Sequence, residues 1–175
     1  YAFVGPLLGA LIRPLGGWLA DRMGGASLTF WNFAVMAGAI FGVLLFLPGD
    51  ANPGDVTGFY ALFLVIFVTA GIGNGSVFRV IPSAFHAIHQ RWAKNKDETA
   101  RALAKHRAET ETAVALGFSA SIAAFGGFFI PIALAITNDI FGGPYFAIAA
   151  FGVSTLSCML VTWWWYFRAD AEVRC

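Results

Sequence analysis

The chain has 175 residues, of which 58% are hydrophobic, 16% aromatic and only 12% charged. This composition is typical of a membrane protein and excludes an ordinary soluble globular domain. The net charge of +1 gives no indication of nucleic-acid binding, and Cys158 and Cys175 form neither a disulfide framework nor a metal-binding spacing.

The first predicted element is an apolar helix over residues 1–20 that carries one charge, Arg13. Arg13 precedes Asp21 by two helical turns, which places it about 12 Å inside the membrane surface, where the hydrocarbon half-thickness is about 15 Å. A guanidinium at that depth costs from about 2.5 to over 10 kcal/mol. We therefore expect Arg13 to face a protein-lined cavity that an anion enters. The alternatives are an arginine that snorkels to the interface or pairs with a carboxylate of another helix.

Two further features of this helix indicate close packing and a bend. Pro14 removes one backbone hydrogen bond directly beside the charge and can kink the helix. Small residues near four-residue spacing allow another helix to approach closely. They are Gly5, Gly9, Gly16 and Gly17.

The second predicted helix, residues 28–47, is uncharged, and Asn32 is its only strongly polar side chain. The third, residues 57–85, contains Gly71, Gly73 and Gly75, each of which weakens a helix by about 1 kcal/mol relative to alanine. Three such residues predict close packing or a flexible bend. Arg79 is expected near the far interface, snorkelling or paired there.

The segment of residues 86–109 is predicted to be a cytoplasmic loop. Six Lys or Arg residues lie between positions 91 and 107, against Asp97 and Glu98, and such an excess marks the cytoplasmic side. Its alanine-rich pattern also suggests a helical extension with a solvated charged face. His86 and His89 have no carboxylate or cysteine partner close in sequence, so no metal site is predicted.

The fourth predicted helix, residues 110–136, is rich in small residues. The hydroxyls of Ser119 and Ser121 are candidate donors to a ligand, and Gly117 is a further candidate substrate-binding residue. The alternative is a packing seam whose serines bond to the preceding turn.

The fifth predicted helix, residues 145–167, ends in an interfacial belt of aromatic residues followed by Arg168. The segments 48–55 and 137–144 carry acids and no Lys or Arg, whereas the segments that alternate with them carry Arg or Lys. The sequence therefore predicts an all-α membrane protein with five crossings, an N-terminus outside and a cytoplasmic C-terminus. It lacks an initiator Met, and we expect a fragment of a longer chain.

The turn G-x-x-x-D-R-x-G resembles a cytoplasmic loop motif of the major facilitator superfamily, although Gly25-Ala26 replaces the usual trailing basic pair. Its residues are Gly17, Asp21, Arg22 and Gly24. Together with residues 10–17, 70–79 and 115–131, the chain resembles the nitrate/nitrite porter family of that superfamily. The resemblance covers essentially the whole chain as helices eight to twelve of twelve, part of the C-terminal six-helix half.

The resemblance implies specific roles. Arg13 would match the C-terminal-half arginine that binds the substrate anion, with a partner arginine in the missing N-terminal half. Residues 117–129 would match a nitrate signature, in which one serine contacts substrate and glycines allow bending. Either Ser119 or Ser121 could make that contact. Bending would involve Pro14, Gly71, Gly73, Gly75, Gly126 and Gly127.

Transport of nitrate and nitrite by alternating access follows as the expected function. A guanidinium offers a planar fork of donors suited to a planar anion. No His, Asp or Glu lies deep enough to relay protons, which favours nitrate/nitrite exchange. Proton-coupled nitrate uptake and a carrier of another small anion stay open.

A non-transporting anchor subunit of a respiratory complex is a further alternative, although it would require paired histidines at membrane depth for haem. No nucleophile–base pair indicates an enzyme, and no cofactor is expected. The expected partners are nitrate, nitrite, membrane lipid and the missing half. The expected location is the inner (plasma) membrane, and the fragment is not expected to transport by itself.

Overall fold

The computed structural model describes residues 3–48, 53–94 and 97–167. These ranges contain five α-helices and no strand, which confirms the predicted all-α class. The helices are α1 (Val4–Met23), α2 (Gly25–Phe46), α3 (Val56–Ala93), α4 (Glu98–Phe141) and α5 (Tyr145–Tyr166).

Four of these helices, α2 to α5, are long and apolar enough to cross a membrane. Helix α1 is not among them, because its 20 residues include several glycines and prolines as well as Arg13, Asp21 and Arg22. The prediction of a membrane protein with long apolar helices is confirmed, and a crossing by α1 stays a prediction.

The helices differ from their predicted bounds where the sequence is polar. Much of the segment 86–109, predicted as a loop, is helical, because α3 continues to Ala93 and α4 begins at Glu98. Alanine and long charged residues are good helix formers, and Ala93, Ala104 and Ala108 are buried there. With 38 and 44 residues, α3 and α4 measure about 57 and 66 Å, so both extend beyond a hydrocarbon layer about 30 Å thick.

The charged turn after α1 is also shorter than predicted. Helix α1 continues to Met23, and α2 begins at Gly25. Gly24 alone separates them and adopts φ 82°, a backbone conformation that favours glycine. The loop motif therefore lies largely within the last turns of α1.

Helix α3 is the centre of the arrangement. It packs against α1, α2 and α4, and α2 packs in turn against α5. Contacts between α1 and α3 run from Gly5 with Phe67 to Asp21 with Arg79, so these two helices are parallel.

Glycines bring the backbones of α1 and α3 into direct contact. A Cβ atom on a glycine at three of these positions would overlap backbone atoms of the facing helix. The pairs are Gly16 with Ile72, Gly71 with Gly9, and Gly75 with Arg13. We call these three pairs the α1–α3 seam. It fixes the backbone of Arg13 against α3.

Candidate functional site: a cavity beside Arg13

Arg13 lines a cavity of about 450 Å³ to which α1, α2, α3 and α4 all contribute. The polar side chains that line it are those of Arg13, Thr29, Asn32, Asn74 and Ser119. The remaining lining residues are apolar or glycine, and among the residues described no acidic side chain lines this cavity. We call it the Arg13 cavity.

The guanidinium of Arg13 is not neutralised by the rest of the described chain. Both ion pairs found in the described ranges involve other residues, and Arg13 forms no hydrogen bond with a described side chain or backbone group. Arg13 is exposed to the cavity, while its backbone is held by Gly75 in the α1–α3 seam. A fixed, uncompensated cation in an apolar surrounding attracts an anion.

The other polar residues of the cavity fall into two groups. Thr29 donates to the carbonyl of Gly25 at 2.8 Å, and the Asn32 amide donates to the carbonyl of Thr69 at 2.9 Å. Both are therefore engaged in helix structure or helix packing. Asn74 and Ser119 form no hydrogen bond with any other described residue, so their donors are available to a ligand.

Of the two signature serines, the structure brings only Ser119 to Arg13. The hydroxyl of Ser121 donates to the carbonyl of Gly117 at 2.9 Å and is exposed outside the cavity. Gly117 does not line the cavity either. Gly126 and Gly127 have open space where a Cβ would stand, so they face no described helix.

The candidate bending residues of α1 and α3 have other surroundings. Gly71 and Gly75 belong to the α1–α3 seam. Gly73 faces the opposite side of α3, where a Cβ would lie 2.8 Å from the amide nitrogen of Asn32. Pro14 lies within α1 immediately after Arg13.

The loop motif forms an ion pair at the charged end of α1. Arg79 binds the carboxylate of Asp21 in a bidentate manner, with Nε–Oδ1 at 2.9 Å, Nε–Oδ2 at 3.0 Å and a terminal nitrogen at 2.9 Å from Oδ2. This hydrogen bond from Arg79 holds the pKa of the Asp21 carboxyl below its ordinary value. The pairing expected for Arg79 thus has Asp21 as its partner, which sequence analysis did not name.

Two other motif residues, Arg22 and Gly17, contact neighbouring groups. Arg22 stacks on the ring of Trp18 at 4.0 Å from its centroid, a cation–π contact. Gly17 faces the carbonyl of Gly75, where a Cβ would make ordinary contact at 3.7 Å.

His86 and His89 line a second cavity, between the polar ends of α3 and α4, together with Lys94, Arg101 and Lys105. His89 Nε2 lies 2.9 Å from Glu111 Oε2. Across the described ranges, no three His, Cys, Asp or Glu side chains converge as a metal site would require.

Sequence comparisons identify relatives of known name. The chain is 43% identical over 172 residues to nitrate/nitrite transporter NarU of Escherichia coli (strain K12), covering 95% of this chain and 36% of that protein. It is 28% identical over 178 residues to the probable nitrate/nitrite antiporter NarK2 of Thermus thermophilus, covering all of this chain and 34% of that protein.

A third relative, the probable nitrate transporter NarT of Staphylococcus carnosus (strain TM300), is 29% identical over 87% of this chain and 32% of its own length. The chain therefore spans about a third of the length of the curated relatives it matches. No family model matches the chain.

Proposed function

We propose that this chain carries the Arg13 half of the anion site of nitrate/nitrite porters. The premise is its homology to nitrate/nitrite porters along 87–100% of its length, which confirms the predicted resemblance. The complete carrier transports nitrate and nitrite across the inner membrane. This chain supplies helices eight to twelve, and the N-terminal half supplies a second arginine. The cytoplasmic side holds the polar ends of α3 and α4 and the C-terminus.

One observation supports this proposal above the others. The Arg13 guanidinium lines a mostly apolar cavity and has no carboxylate partner in the described chain. Nitrate and nitrite are small, planar and singly charged. The planar guanidinium fork can donate two parallel hydrogen bonds to two of their oxygens, which an ammonium group cannot do in the same geometry.

Exchange of the two anions fits the side chains of the cavity. Its polar lining among the described residues consists of arginine, asparagine, threonine and serine and contains no Asp, Glu or His that could relay a proton. An empty cavity leaves the Arg13 cation without a counter-charge at membrane depth, and this state resists reorientation. Nitrate entering and nitrite leaving keep the cation neutralised in each direction. The name of the Thermus thermophilus relative includes nitrate/nitrite antiport. Proton-coupled nitrate uptake is the alternative, and uptake without nitrite but with a proton gradient would favour it.

The arrangement of glycines is compatible with alternating access. The α1–α3 seam joins two helices as one rigid unit, because any separation would lose backbone contacts. Helix α4 instead carries three glycines, Gly117, Gly126 and Gly127, whose Cα hydrogens face open space. Rocking of the two halves about the anion site would therefore move or bend α4 relative to a fixed Arg13.

The test replaces the planar guanidinium of Arg13 with an ammonium group of the same charge. In the full-length carrier reconstituted in proteoliposomes loaded with nitrite, we expect Arg13→Lys to abolish nitrate uptake. Arg79→Lys is the matched control, because it makes the same chemical change at an exposed residue outside the Arg13 cavity.

We expect Arg79→Lys to retain most of the uptake. Near-normal nitrate affinity in Arg13→Lys would contradict the assignment of the anion site. Equal uptake of an organic phosphate or carboxylate by the unmodified carrier would contradict the choice of substrate.

A further inference from the structure

Asn74 lies on α3 between two glycines with distinct packing roles. Gly75 meets the carbonyl of Arg13, and Gly73 meets the amide of Asn32. Because Gly75 touches the Arg13 backbone directly, Asn74 lies at the same depth along the helix pair as Arg13. The two side chains line the same cavity, one from α3 and one from α1.

The amide of Asn74 has no partner within the described chain. It offers two N–H donors and an acceptor oxygen, yet no described residue forms a hydrogen bond with it, and it is half-buried. An amide left unpaired in an apolar surrounding is unfavourable. Such a group in a membrane-embedded cavity therefore indicates a ligand that pairs with it.

Asn32 lines the same cavity, but its side chain has a structural role. Its amide nitrogen donates to the carbonyl of Thr69 at 2.9 Å, and the residue is only 8% exposed. This bond joins α2 to α3. Asn74 makes no comparable bond to a described residue, so packing among α1 to α5 does not account for its amide.

We propose that Asn74 is a second ligand of the anion and that its N–H group donates to the oxygen that the Arg13 fork leaves free. This inference rests on the proposed function. A guanidinium fork engages two oxygens. Nitrate then has a third oxygen available for Asn74, whereas nitrite presents only its nitrogen lone pair there. Asn74 therefore favours nitrate over nitrite.

The test measures KM for each anion in the full-length carrier reconstituted in proteoliposomes, with nitrate or nitrite as the transported probe. We expect Asn74→Ala to raise KM for nitrate about tenfold, the loss of one hydrogen bond to a charged group. The rise for nitrite should be several times smaller. An equal rise for the two anions, or no rise, overturns the inference.

Two further variants keep the test decisive. Asn74→Asp preserves the shape and places a carboxylate in the Arg13 cavity, so anion uptake should be lost while the protein stays folded; retained uptake overturns the inference. Asn138→Ala removes an exposed asparagine at the far end of α4 and should leave both KM values unchanged.

The two hypotheses fail in different ways. If the unmodified carrier moves neither nitrate nor nitrite, the proposed function is wrong whatever Asn74 does. If the unmodified carrier transports both anions and Asn74→Ala has the same KM ratio, only the role of Asn74 is wrong.

Discussion

The α1–α3 seam and residues 117–127 of α4 are both rich in glycine, but the surroundings of these glycines differ. In the seam, the space for a Cβ is filled by backbone atoms of the facing helix. In α4, no described atom lies within 4 Å of the same space at Gly117, Gly126 and Gly127. Glycine therefore enforces close approach in one region and lowers the cost of bending in the other. The comparison shows how the proposed anion site would combine a fixed arginine with a helix that bends.

The largest effect is expected when a methyl group is added to the α1–α3 seam. In Gly75→Ala, the new Cβ would overlap the carbonyl of Arg13, and backbone cannot yield as a flexible side chain can. We expect a loss of about 1–3 kcal/mol or more in stability together with a displaced Arg13. Thermal unfolding of the full-length carrier in detergent and its nitrate KM measure the two effects. A normal melting temperature with normal KM would show that the seam is not tight.

A glycine-to-alanine substitution in α4 should not cause the loss of stability expected in the seam. Gly126→Ala meets no atom of the described chain within 4 Å, and alanine stabilises a helix interior by about 1 kcal/mol relative to glycine. We expect an unchanged or slightly higher melting temperature and a lower kcat for exchange, because a stiffer α4 bends less readily.

Gly127→Ala serves as a neighbouring replicate with the same open surroundings. A large loss of stability in both variants would mean that another helix packs on this face of α4. An unchanged kcat in both would argue against bending at these glycines.

The contrast between the regions also shows which parts of the molecule sequence can predict. Hydropathy and charge predict the helical class, the long apolar helices and an arginine within the first helix, because these depend on composition along one helix. The alanine-rich pattern of residues 86–109 suggests a helical extension, but hydropathy does not give its bounds at Ala93 and Glu98, because hydropathy reports membrane transfer rather than helix continuation.

Rotation about a helix axis is the main quantity that the sequence leaves open. Ser119 and Ser121 are two positions apart, or about 200° around a helix, so they cannot share one cavity. Only the packing of α4 on α3 decides that Ser119 faces Arg13. Asn74 is visible in the sequence as a polar side chain between glycines of an apolar helix, but its placement beside Arg13 again depends on rotation about the helix axis.

The smallest expected effect concerns the end of the seam, where Asp21 and Arg79 join α1 to α3 through an exposed ion pair. Exposed pairs contribute little to stability and are screened by salt, so Asp21→Asn should lower the melting temperature only slightly, and less at high salt. Because the pKa of Asp21 is lowered in the folded protein, the contribution is present above the ordinary aspartate pKa and is lost as pH falls through the lower, folded value. At neutral pH the melting temperatures of Asp21→Asn and the unmodified carrier should therefore differ, and the difference should vanish in acid. A difference that persists in acid would mean that the effect does not depend on the ion pair. A difference as large as that of Gly75→Ala would mean that Asp21, and not the glycine contacts alone, holds the two helices together.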